Sequence, residues 1–510
     1  MLRNGQGVAL LTRIPLHPLL FAAYAVLFLY SANLDLVLPV DAVAPLTRSV
    51  AAAAVVTAVL ALLLRDRRKG AIVATAIVVA YFGFGHVAGF LAGRGITDAA
   101  QLGAWAVIVV AAFIFAVRGA SKVPQATFGL NVVALVLVGV AAGTILPYEM
   151  SRAAREPISH ATTVRAASDV ATERDIYFLI FDRYGSADAL ERRFDITDND
   201  LYGWLEARGF QVPANSHANY RATDFSLAAT LNMKFLDDLT REVGPISGDR
   251  TPAQAMIQDH EVGRFLKSQG YRYYQIGSWF GPTRSVAIAD ENLSYGVASE
   301  FETVLNDLTI VPGIDRVRGV VSPEPTDRDR HREGTLFGLR QLRRVATAPG
   351  PKFVFAHILL PHDPYVFKAD GSSLSEAEAK ATPERKLYSD HLAFANSQIK
   401  DIVGYLLAGP EETRPIVIIE GDEGPLMCQG LDCVENTSQY LRIRLGNLVA
   451  MYLPGVDEQL PDTFSSVNTF RVVFREYFGA DLEPLPDRSF TWPDNDHLYD
   501  FKDVTDEILE

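Results

Sequence analysis

The sequence has little positive charge, only two cysteines, and neither internal repeats nor low-complexity tracts. Lys and Arg number 47 against 61 Asp and Glu, which gives a net charge of −14. The first 150 residues hold ten basic and five acidic residues, a balance of +5, so −19 is left for the rest. This acidic remainder lacks the clustered Lys and Arg that nucleic acid or an anionic lipid surface requires, and neither is expected as its main partner.

Long apolar runs occupy much of the first 150 residues. Five of them approach the ~20 residues that a helix needs to cross about 30 Å of hydrocarbon. They cover residues 14–31, 49–64, 71–92, 102–117 and 127–146. We therefore predict an all-α domain of five transmembrane helices over residues 1–150, which makes the chain an integral membrane protein. A signal peptide is the alternative for the first run, but no small-residue cleavage site follows it.

Basic residues predict the orientation of these helices, since Lys and Arg beside a span are retained in the cytoplasm. One set of helix ends carries Arg3, Arg13, Arg65, Arg67, Arg68, Lys69, Arg118 and Lys122. The opposite loops carry Asp35, Asp41 and Asp98, with Arg48 and Arg94 as exceptions. The N-terminus is thus predicted to be cytoplasmic, and five crossings place the chain after residue 148 outside.

The remaining residues, about 360 of them, predict one large α/β domain. Residues 151–174 show no apolar periodicity and predict a linker. Strand-like runs then alternate with amphipathic helical stretches, as in DIYFLIFD, YRYYQIGSW, KFVFAHILL and PIVIIEGD. Such alternation predicts a mostly parallel central sheet covered by helices, over residues 175–510.

The two cysteines, Cys428 and Cys433, stand close together in this outer portion. In an oxidising compartment, such a pair in a loop favours one disulfide, which would hold the loop after Asp422 in place. Two free thiols are the alternative. A zinc site would need further ligands, and no histidine lies nearby in the sequence.

Two of the strand-like runs end in an aspartate, Asp182 in DIYFLIFD and Asp422 in PIVIIEGD. A carboxylate there lies in the crevice at the strand carboxyl ends, where α/β enzymes hold metal ligands. Between them, NYRATDFSLAATLN carries Thr223 where an extended stretch passes into a helical run. A divalent cation can activate such a hydroxyl as a nucleophile. The competing interpretation is that Thr223 or Ser226 only caps the helix.

The order of these motifs resembles the sulfatase-like branch of the alkaline phosphatase superfamily. The chain contains a strand followed by Asp, then N-Y-x-x-T-x-x-S-L-A-x-x-L-N, F-x-H-x-x-x-P-H-x-P-Y and G-D-x-G. Five spans before a large external domain are similar to lipoteichoic acid synthases and lipid A phosphoethanolamine transferases. The resemblance implies that Asp182, Thr223, Asp422 and Glu423 bind one divalent metal ion, with Thr223 as nucleophile, on the outer side of a bacterial cytoplasmic membrane.

The last motif departs from the family, which usually has G-D-H-G where this chain reads G-D-E-G at residues 421–424. A set of Asp182, Asp422, Glu423 and Thr223 offers only oxygen and favours Mg²⁺ or Mn²⁺, with Ca²⁺ or Zn²⁺ as lesser options. Three carboxylates also outweigh a 2+ ion and leave less positive charge for a phosphate. A catalytically weakened scaffold is therefore one alternative.

Two histidines and two loop residues complete the predicted site. The resemblance implies that a histidine in FAHILLPHDPY holds the substrate phosphate or protonates the leaving oxygen, and His362 is the first candidate. His357 lies on the opposite strand face by parity and is expected in the core, with substrate contact as its second assignment. Trp279 and Arg284 are candidates for the donor pocket, against the ordinary interpretation as exposed loop residues.

The resemblance implies a two-step transfer of a phospho-head group, of the phosphoglycerol or phosphoethanolamine type, from a membrane phospholipid to an envelope glycan or glycolipid. Thr223 would carry the group between the two steps. The sequence contains no C-x-P-x-R or S-x-P-x-R, so the formylglycine precursor of true sulfatases is missing. A hydrolase of the same superfamily is an alternative. A transporter-like role has only His86 within a span to support it. The head group, acceptor and oligomeric state are not predicted.

Overall fold

The computed structural model describes residues 13–119, 121–154, 164–166, 173–296, 299–318, 327–426 and 436–509. This part of the chain divides into two compact units. The first comprises Met1–Glu156 and Ala298–Thr326, and the second comprises Pro157–Val297 and Asp327–Glu510. The described residues 299–318 thus fold with the N-terminal helices, although they lie within the predicted C-terminal domain in sequence.

The described helices and strands are numbered in chain order. The helices are α1 (His17–Ser31), α2 (Pro39–Leu63), α3 (Arg67–Ala92), α4 (Asp98–Arg118), α5 (Val123–Ala154), α6 (Ala187–Phe194), α7 (Leu201–Glu206), α8 (Thr223–Asn232), α9 (Asp237–Val243), α10 (Thr251–Gln258), α11 (Glu261–Ser268), α12 (Gly281–Arg284), α13 (Glu300–Asp307), α14 (Val311–Arg318), α15 (Asp327–Ala346), α16 (Glu376–Ala381), α17 (Glu384–Leu406), α18 (Ser438–Leu445), α19 (Thr469–Phe478) and α20 (Thr505–Leu509). The strands are β1 (Ile176–Phe181), β2 (Phe210–Gln211), β3 (Asn215–His217), β4 (Arg272–Ile276), β5 (Glu291–Leu293), β6 (Lys352–Ile358), β7 (Ile416–Glu420), β8 (Val449–Tyr452), β9 (Thr463–Ser465), β10 (Phe490–Thr491) and β11 (Lys502–Asp503). Single 3-10 turns cover Glu411–Thr413 and Ser466–Asn468.

Apolar helices make up most of the first unit. Among the described residues, α2, α3, α4 and α5 are the four helices long and apolar enough to cross a membrane. α1 is also apolar but has 15 residues, so at 1.5 Å per residue it is about 22 Å long against about 30 Å of hydrocarbon. Of the five predicted spans, four therefore coincide with helices of spanning length, and the first stays a prediction.

Two of these helices extend beyond their predicted limits. α2 begins at Pro39, ten residues before the predicted run, because proline is tolerated in the first turn of a helix. α5 continues to Ala154 and takes in the first residues of the predicted linker, 151–174. Most of the rest of that linker lies outside the described residues.

A mixed, mostly parallel sheet forms the centre of the second unit, as the alternating pattern predicted. Seven of the described strands join it in the order β2-β8-β7-β1-β6-β4-β5. β8 pairs antiparallel with both of its neighbours, and the pairings from β7 to β5 are parallel. The central strands are uniformly apolar because helices cover both faces of the sheet.

Alternate residues of β1 pack into different apolar clusters. Phe178 belongs to one cluster with Phe355, Ile418 and Phe470. Leu179, the next residue, belongs to a second cluster on the opposite face. Since all six residues of β1 are buried, the strand is fixed from both sides, and the position of the residue that follows it is fixed as well.

Candidate metal centre and nucleophile

The candidate site lies at one edge of the sheet, at the carboxyl ends of three neighbouring parallel strands. β1 pairs with β6 on one side and with β7 on the other. The register places Ile180 opposite both His357 and Glu420. Asp182 and Asp422 each follow this row by two residues, so the strand pairing itself brings the two carboxylates and the imidazole together.

Asp182 contacts two histidines. Its Oδ2 lies 3.0 Å from His357 Nε2, and its Oδ1 lies 4.0 Å from His362 Nε2. Burial raises the pKa of the Asp182 carboxyl, but the charges of His362 and His357 and the His357 hydrogen bond outweigh it, so the net shift is downward. The shift favours the ionised form of Asp182.

His357 is buried as expected, but it is not an apolar packing residue. Its Nε2 faces Asp182, and its Nδ1 lies 2.7 Å from Thr283 Oγ1 and 3.2 Å from Ser278 Oγ. Parity along β6 predicted a core position, but the strand ends within one residue of His357, so the ring reaches the candidate site. If the proton sits on Nδ1 and is donated to the Thr283 hydroxyl, Nε2 would offer its lone pair to a metal ion in place of its hydrogen bond to Asp182.

Asp422 lies near both Asp182 and the candidate nucleophile, Thr223. Its Oδ1 accepts a hydrogen bond of 3.0 Å from the amide of Arg183, and the Thr223 side chain lies near enough to lower the pKa of its carboxyl group. Burial raises the pKa of Asp422, and the nearby charge of Asp182 raises it further. Two adjacent buried carboxylates repel each other, and a cation between them would relieve that repulsion.

The residues present fit a divalent metal ion. Asp182, His357 and Asp422 each offer one ligand atom, and these atoms lie within 4.8 Å of one another. Among the described residues, the carboxylate oxygens Asp182 Oδ1, Asp422 Oδ2 and Glu423 Oε2 are buried without a hydrogen-bond partner, and the first two belong to this group. Buried carboxylate oxygens are normally paired or coordinate a metal, so these two oxygens mark where a cation would bind.

Thr223 is the first residue of α8 and does not cap it. The N-cap position is Ala222, which is extended and contributes no side-chain bond. Ser226 is not a cap either, because its hydroxyl donates to the carbonyl oxygen of Asp422 at 2.6 Å. That bond holds the first turn of α8 against the Asp422 loop. The Thr223 hydroxyl thus lies at a helix N-terminus, where the helix dipole favours an anion.

Glu423 is paired with arginine and is not among the three grouped ligand residues. Its Oε1 forms an ion pair with Arg444 of α18 and lies 3.8 Å from Arg183 Nε. Both side chains of the Arg444 pair are almost fully buried, at 2% and 7% exposed. Burial raises the pKa of Glu423, and the two guanidinium groups offset part of that rise. In place of the predicted all-oxygen set, the structure brings together two carboxylates and His357.

Arginines that the sequence analysis did not single out lie around this group. Arg183 directly follows Asp182 and has φ of 60°, a left-handed conformation that is uncommon outside glycine. Its guanidinium pairs with Asp363 at 2.5 Å. Arg250 donates to both carboxylate oxygens of Asp224, next to Thr223, at 2.9 and 3.2 Å. Their signal in the sequence was weak, because surface arginines are common.

His362 and Trp279 lie beside the same group. The Nδ1 of His362 donates to the carbonyl oxygen of Asp363, which turns Nε2 toward Asp182. The Trp279 ring meets His362 edge-on at 6.4 Å and donates from Nε1 to His331 Nδ1 at 2.9 Å. Trp279 keeps 37% exposure, as a lining residue would. Arg284 donates to the carbonyl oxygen of Gly296 at 3.4 Å, and its pocket role stays a prediction.

Two further sequence predictions concern residues elsewhere. Cys428 and Cys433 lie outside the described residues, so the predicted disulfide stays a prediction. His86, the ionisable residue noted within a span, is exposed on α3 and meets Phe28 edge-on at 5.9 Å.

No protein-family model matches the sequence, and no curated protein matches it. Solved structures do match. The C-terminal periplasmic domain of EptC from Escherichia coli is similar with a TM-score of 0.38 and 12% identity, covering 65% of this chain and 92% of that one. The integral membrane protein lipooligosaccharide phosphoethanolamine transferase A from Neisseria meningitidis is similar with a TM-score of 0.39 and 13% identity. The match covers 79% of this chain and 73% of that one.

A phosphonate monoester hydrolase of Agrobacterium radiobacter gives a TM-score of 0.38 and 12% identity, covering 62% of this chain and 79% of that one. Another matched structure is a protein in the alkaline phosphatase superfamily from Vibrio parahaemolyticus. At these scores and identities the likeness is too distant to transfer a function to this chain.

Proposed function

We propose that this chain is a membrane-anchored, metal-dependent phosphotransferase that moves a phospho-head group from a membrane phospholipid to an envelope glycan or glycolipid. The observation that carries the proposal is the grouping of Asp182, His357 and Asp422, with two unpaired carboxylate oxygens, against the hydroxyl of Thr223. A hydroxyl beside a cation site and at a helix N-terminus is suited to attack a phosphorus atom.

Asp182, His357 and Asp422 would hold the ion, which would supply Lewis acidity toward the hydroxyl and the phosphoryl oxygens. One imidazole with two carboxylates suits Mn²⁺ or Zn²⁺ better than the all-oxygen set predicted from G-D-E-G. Because Glu423 is neutralised by Arg444, it takes less positive charge from the ion than that set would. This removes the main reason for proposing a catalytically weakened scaffold.

In the first step, Thr223 Oγ gives its proton to solvent and forms a bond to phosphorus, and the bond from phosphorus to the lipid alcohol breaks. The leaving oxygen takes a proton from His362, whose ring lies beside Asp182. In the second step, an acceptor hydroxyl attacks phosphorus and gives its proton to His362, and Thr223 is released and takes a proton from solvent. Trp279, half-exposed next to His362, would contact the head group.

The first unit supports a lipid donor. Its four long apolar helices would keep the catalytic unit at the bilayer surface, where phospholipid head groups lie. The charge pattern of the loops supports an extracytoplasmic position for the second unit. We propose the bacterial cytoplasmic membrane as its location, with the catalytic unit on the outer side.

Intact-mass analysis tests the proposal. The full-length protein is incubated with phosphatidylglycerol or phosphatidylethanolamine and Mn²⁺ or Zn²⁺. We expect a head-group phosphate adduct that is lost in Thr223→Ala and kept in Thr413→Ala, a matched change of an exposed threonine. No adduct with any divalent metal would contradict the proposal and favour the scaffold.

A second measurement separates transfer from hydrolysis, which share the first step. Labelled phospholipid is supplied with and without membrane glycolipid, and the label is followed. Label on the glycolipid supports the transferase. Free head-group phosphate in both samples, with no labelled glycolipid, would identify a hydrolase of the same superfamily.

A further inference from the structure

Residues 299–318, which we call the outer hairpin, contain α13 and α14 and lie far from the apolar N-terminal runs in sequence. They belong nevertheless to the first unit. Phe301 and Leu305 are buried in one apolar cluster with Tyr30 and Leu34, which lie at the end of α1. No motif discussed above accounts for this packing, so the role of the hairpin is a separate question.

The hairpin contacts the helix ends that the basic-residue pattern places outside. Phe301 meets Tyr30 edge-on at 6.4 Å, near the end of α1. Arg316 pairs with Asp98, the first residue of α4, at 2.6 Å. Glu302 forms an ion pair with Arg48 of α2. Arg48 was an exception to the basic-residue pattern, and this carboxylate partner gives it a role on the outer side.

The turn of the hairpin reaches deeper, into the side of α3. The amide of Gly85 donates to the carbonyl oxygen of Leu308 at 3.0 Å, and the amide of Ile310 donates to the carbonyl oxygen of Tyr81 at 2.8 Å. Residues 81 and 85 are i and i+4, the spacing of partners within a helix. At 1.5 Å per residue, these contacts lie about 10 to 16 Å inside the outer end of α3 at Ala92.

The hydrogen bonds between the hairpin turn and α3 satisfy backbone polar groups, as the interior of a membrane requires. Non-helical backbone at hydrocarbon depth is tolerated only where protein satisfies its polar groups, and α3 does so for Leu308 and Ile310. The approach also depends on glycine, because a Cβ on Gly85 would lie 2.4 Å from the Cα of Leu308. Gly89, one turn further along, has nothing within 4 Å of a built Cβ.

We propose that the outer hairpin inserts into the outer leaflet beside α3 and contacts lipid, so that the chain meets the bilayer again after its last span. Val304 and Val317 are 43% and 46% exposed and would face the lipid. The neighbouring helix α2 also exposes apolar residues, such as Val43 at 58%. The inference rests on the membrane placement in the proposed function and not on its chemistry.

Quenching by spin-labelled lipid tests the hairpin in the full-length protein. An environment-sensitive fluorescent amino acid is inserted at position 304, 317, 107 or 246, and each protein is placed in phosphatidylethanolamine–phosphatidylglycerol vesicles with doxyl-labelled lipid. Val107 is exposed on α4, and Ile246 is exposed in the second unit. We expect comparable loss of fluorescence at 304, 317 and 107, and none at 246.

The controls separate the two proposals. Quenching at 107 without quenching at 304 and 317 would overturn the hairpin inference and leave the membrane placement standing. No quenching at 107 would overturn the membrane placement and the hairpin inference with it. Quenching at 246 equal to that at 304 would show nonspecific adsorption and also overturn the hairpin inference.

Two matched glycine substitutions test the contact between the outer hairpin and α3. Gly85→Ala should reduce quenching at 304 and 317 and increase tryptic cleavage after Arg316, because the new methyl group collides with Leu308. Gly89→Ala should leave both measurements unchanged. Unchanged circular dichroism of Gly85→Ala would show that the chain remains folded. Unchanged quenching at 304 and 317 in Gly85→Ala would show that backbone pairing with α3 does not hold the outer hairpin in the membrane.

Discussion

Loss of the Arg444 guanidinium should destabilise the second unit, because it isolates the carboxylate of Glu423. The two side chains are 7% and 2% exposed, so the pair is buried. Removing one partner of a buried ion pair costs about 3–5 kcal/mol, since the other charge stays buried without compensation. At about 2 °C per kcal/mol for a unit of this size, Arg444→Met should lower the melting temperature by about 6–10 °C.

The loss should depend on pH. Burial already raises the pKa of Glu423, and removal of Arg444 raises it further. A carboxyl with a raised folded pKa holds its proton to a higher pH than the unfolded chain does, so stability falls as pH rises above about 4.3. Wild type loses stability with the same slope up to its own Glu423 pKa of about 8, so the deficit of Arg444→Met should stay constant below about pH 8 and grow by about 1.4 kcal/mol per pH unit above it.

Thermal unfolding of the full-length protein in detergent, at pH 7 and pH 9, measures both effects. Arg442→Met is the matched control, because Arg442 lies on the same helix and its pair with Asp188 is 26% and 40% exposed. Such a surface pair contributes about 0–1 kcal/mol. Glu423→Gln combined with Arg444→Met should recover most of the loss. Equal melting temperatures for the two single variants would refute the buried pair, and rescue of Arg444→Met by metal would identify Glu423 as a ligand.

Three further outcomes are expected. His357→Gln should weaken Mn²⁺ or Zn²⁺ binding about 10- to 100-fold in calorimetry, and unchanged affinity would mean that the ring only packs. His362→Gln should slow transfer from a phospholipid about 10²- to 10⁴-fold. It should slow the reaction of a p-nitrophenyl ester far less, because that leaving group needs no proton. Equal losses of rate with the two substrates would argue against His362 as a proton donor. Gly424→Ala would place a Cβ 2.0 Å from the carbonyl oxygen of Ile443 and should cost about 1–3 kcal/mol in thermal unfolding, whereas Gly404→Ala in α17 has open space and should not destabilise.

Local patterns were sufficient to predict where the main candidates would meet. β1 and β7 are apolar runs that end in a carboxylate, and parallel strands end at one edge, so Asp182 and Asp422 could be placed together from sequence. Thr223 was placed by the change from extended to helical character, and it is the first residue of α8. In each case the deciding information lay within about ten residues.

The partners of Glu423 and His357 depended on packing between distant segments. Arg444 reaches Glu423 because α18 lies against the loop after β7, and nothing in G-D-E-G indicates that contact. His357 approaches Asp182 because β6 is the neighbour of β1, which neither run specifies alone. Parity along one strand cannot show which side chains reach past the end of a sheet.

The outer hairpin was missed for a similar reason. α13 and α14 are eight residues each and carry charged residues like ordinary surface helices. Their packing among α1 to α4 depends on the pairing of Leu308 and Ile310 with α3. Backbone pairing of this kind leaves no mark in the sequence except a glycine, and Gly85 is one of several glycines in that helix.

Anomalous scattering from crystals soaked in Mn²⁺ tests the central claim most directly. The account predicts one strong peak within bonding distance of Asp182, His357 and Asp422, beside the Thr223 hydroxyl, with Glu423 still paired to Arg444. An empty site at saturating Mn²⁺, or an ion held by Glu423 while His357 stays turned away, would contradict it.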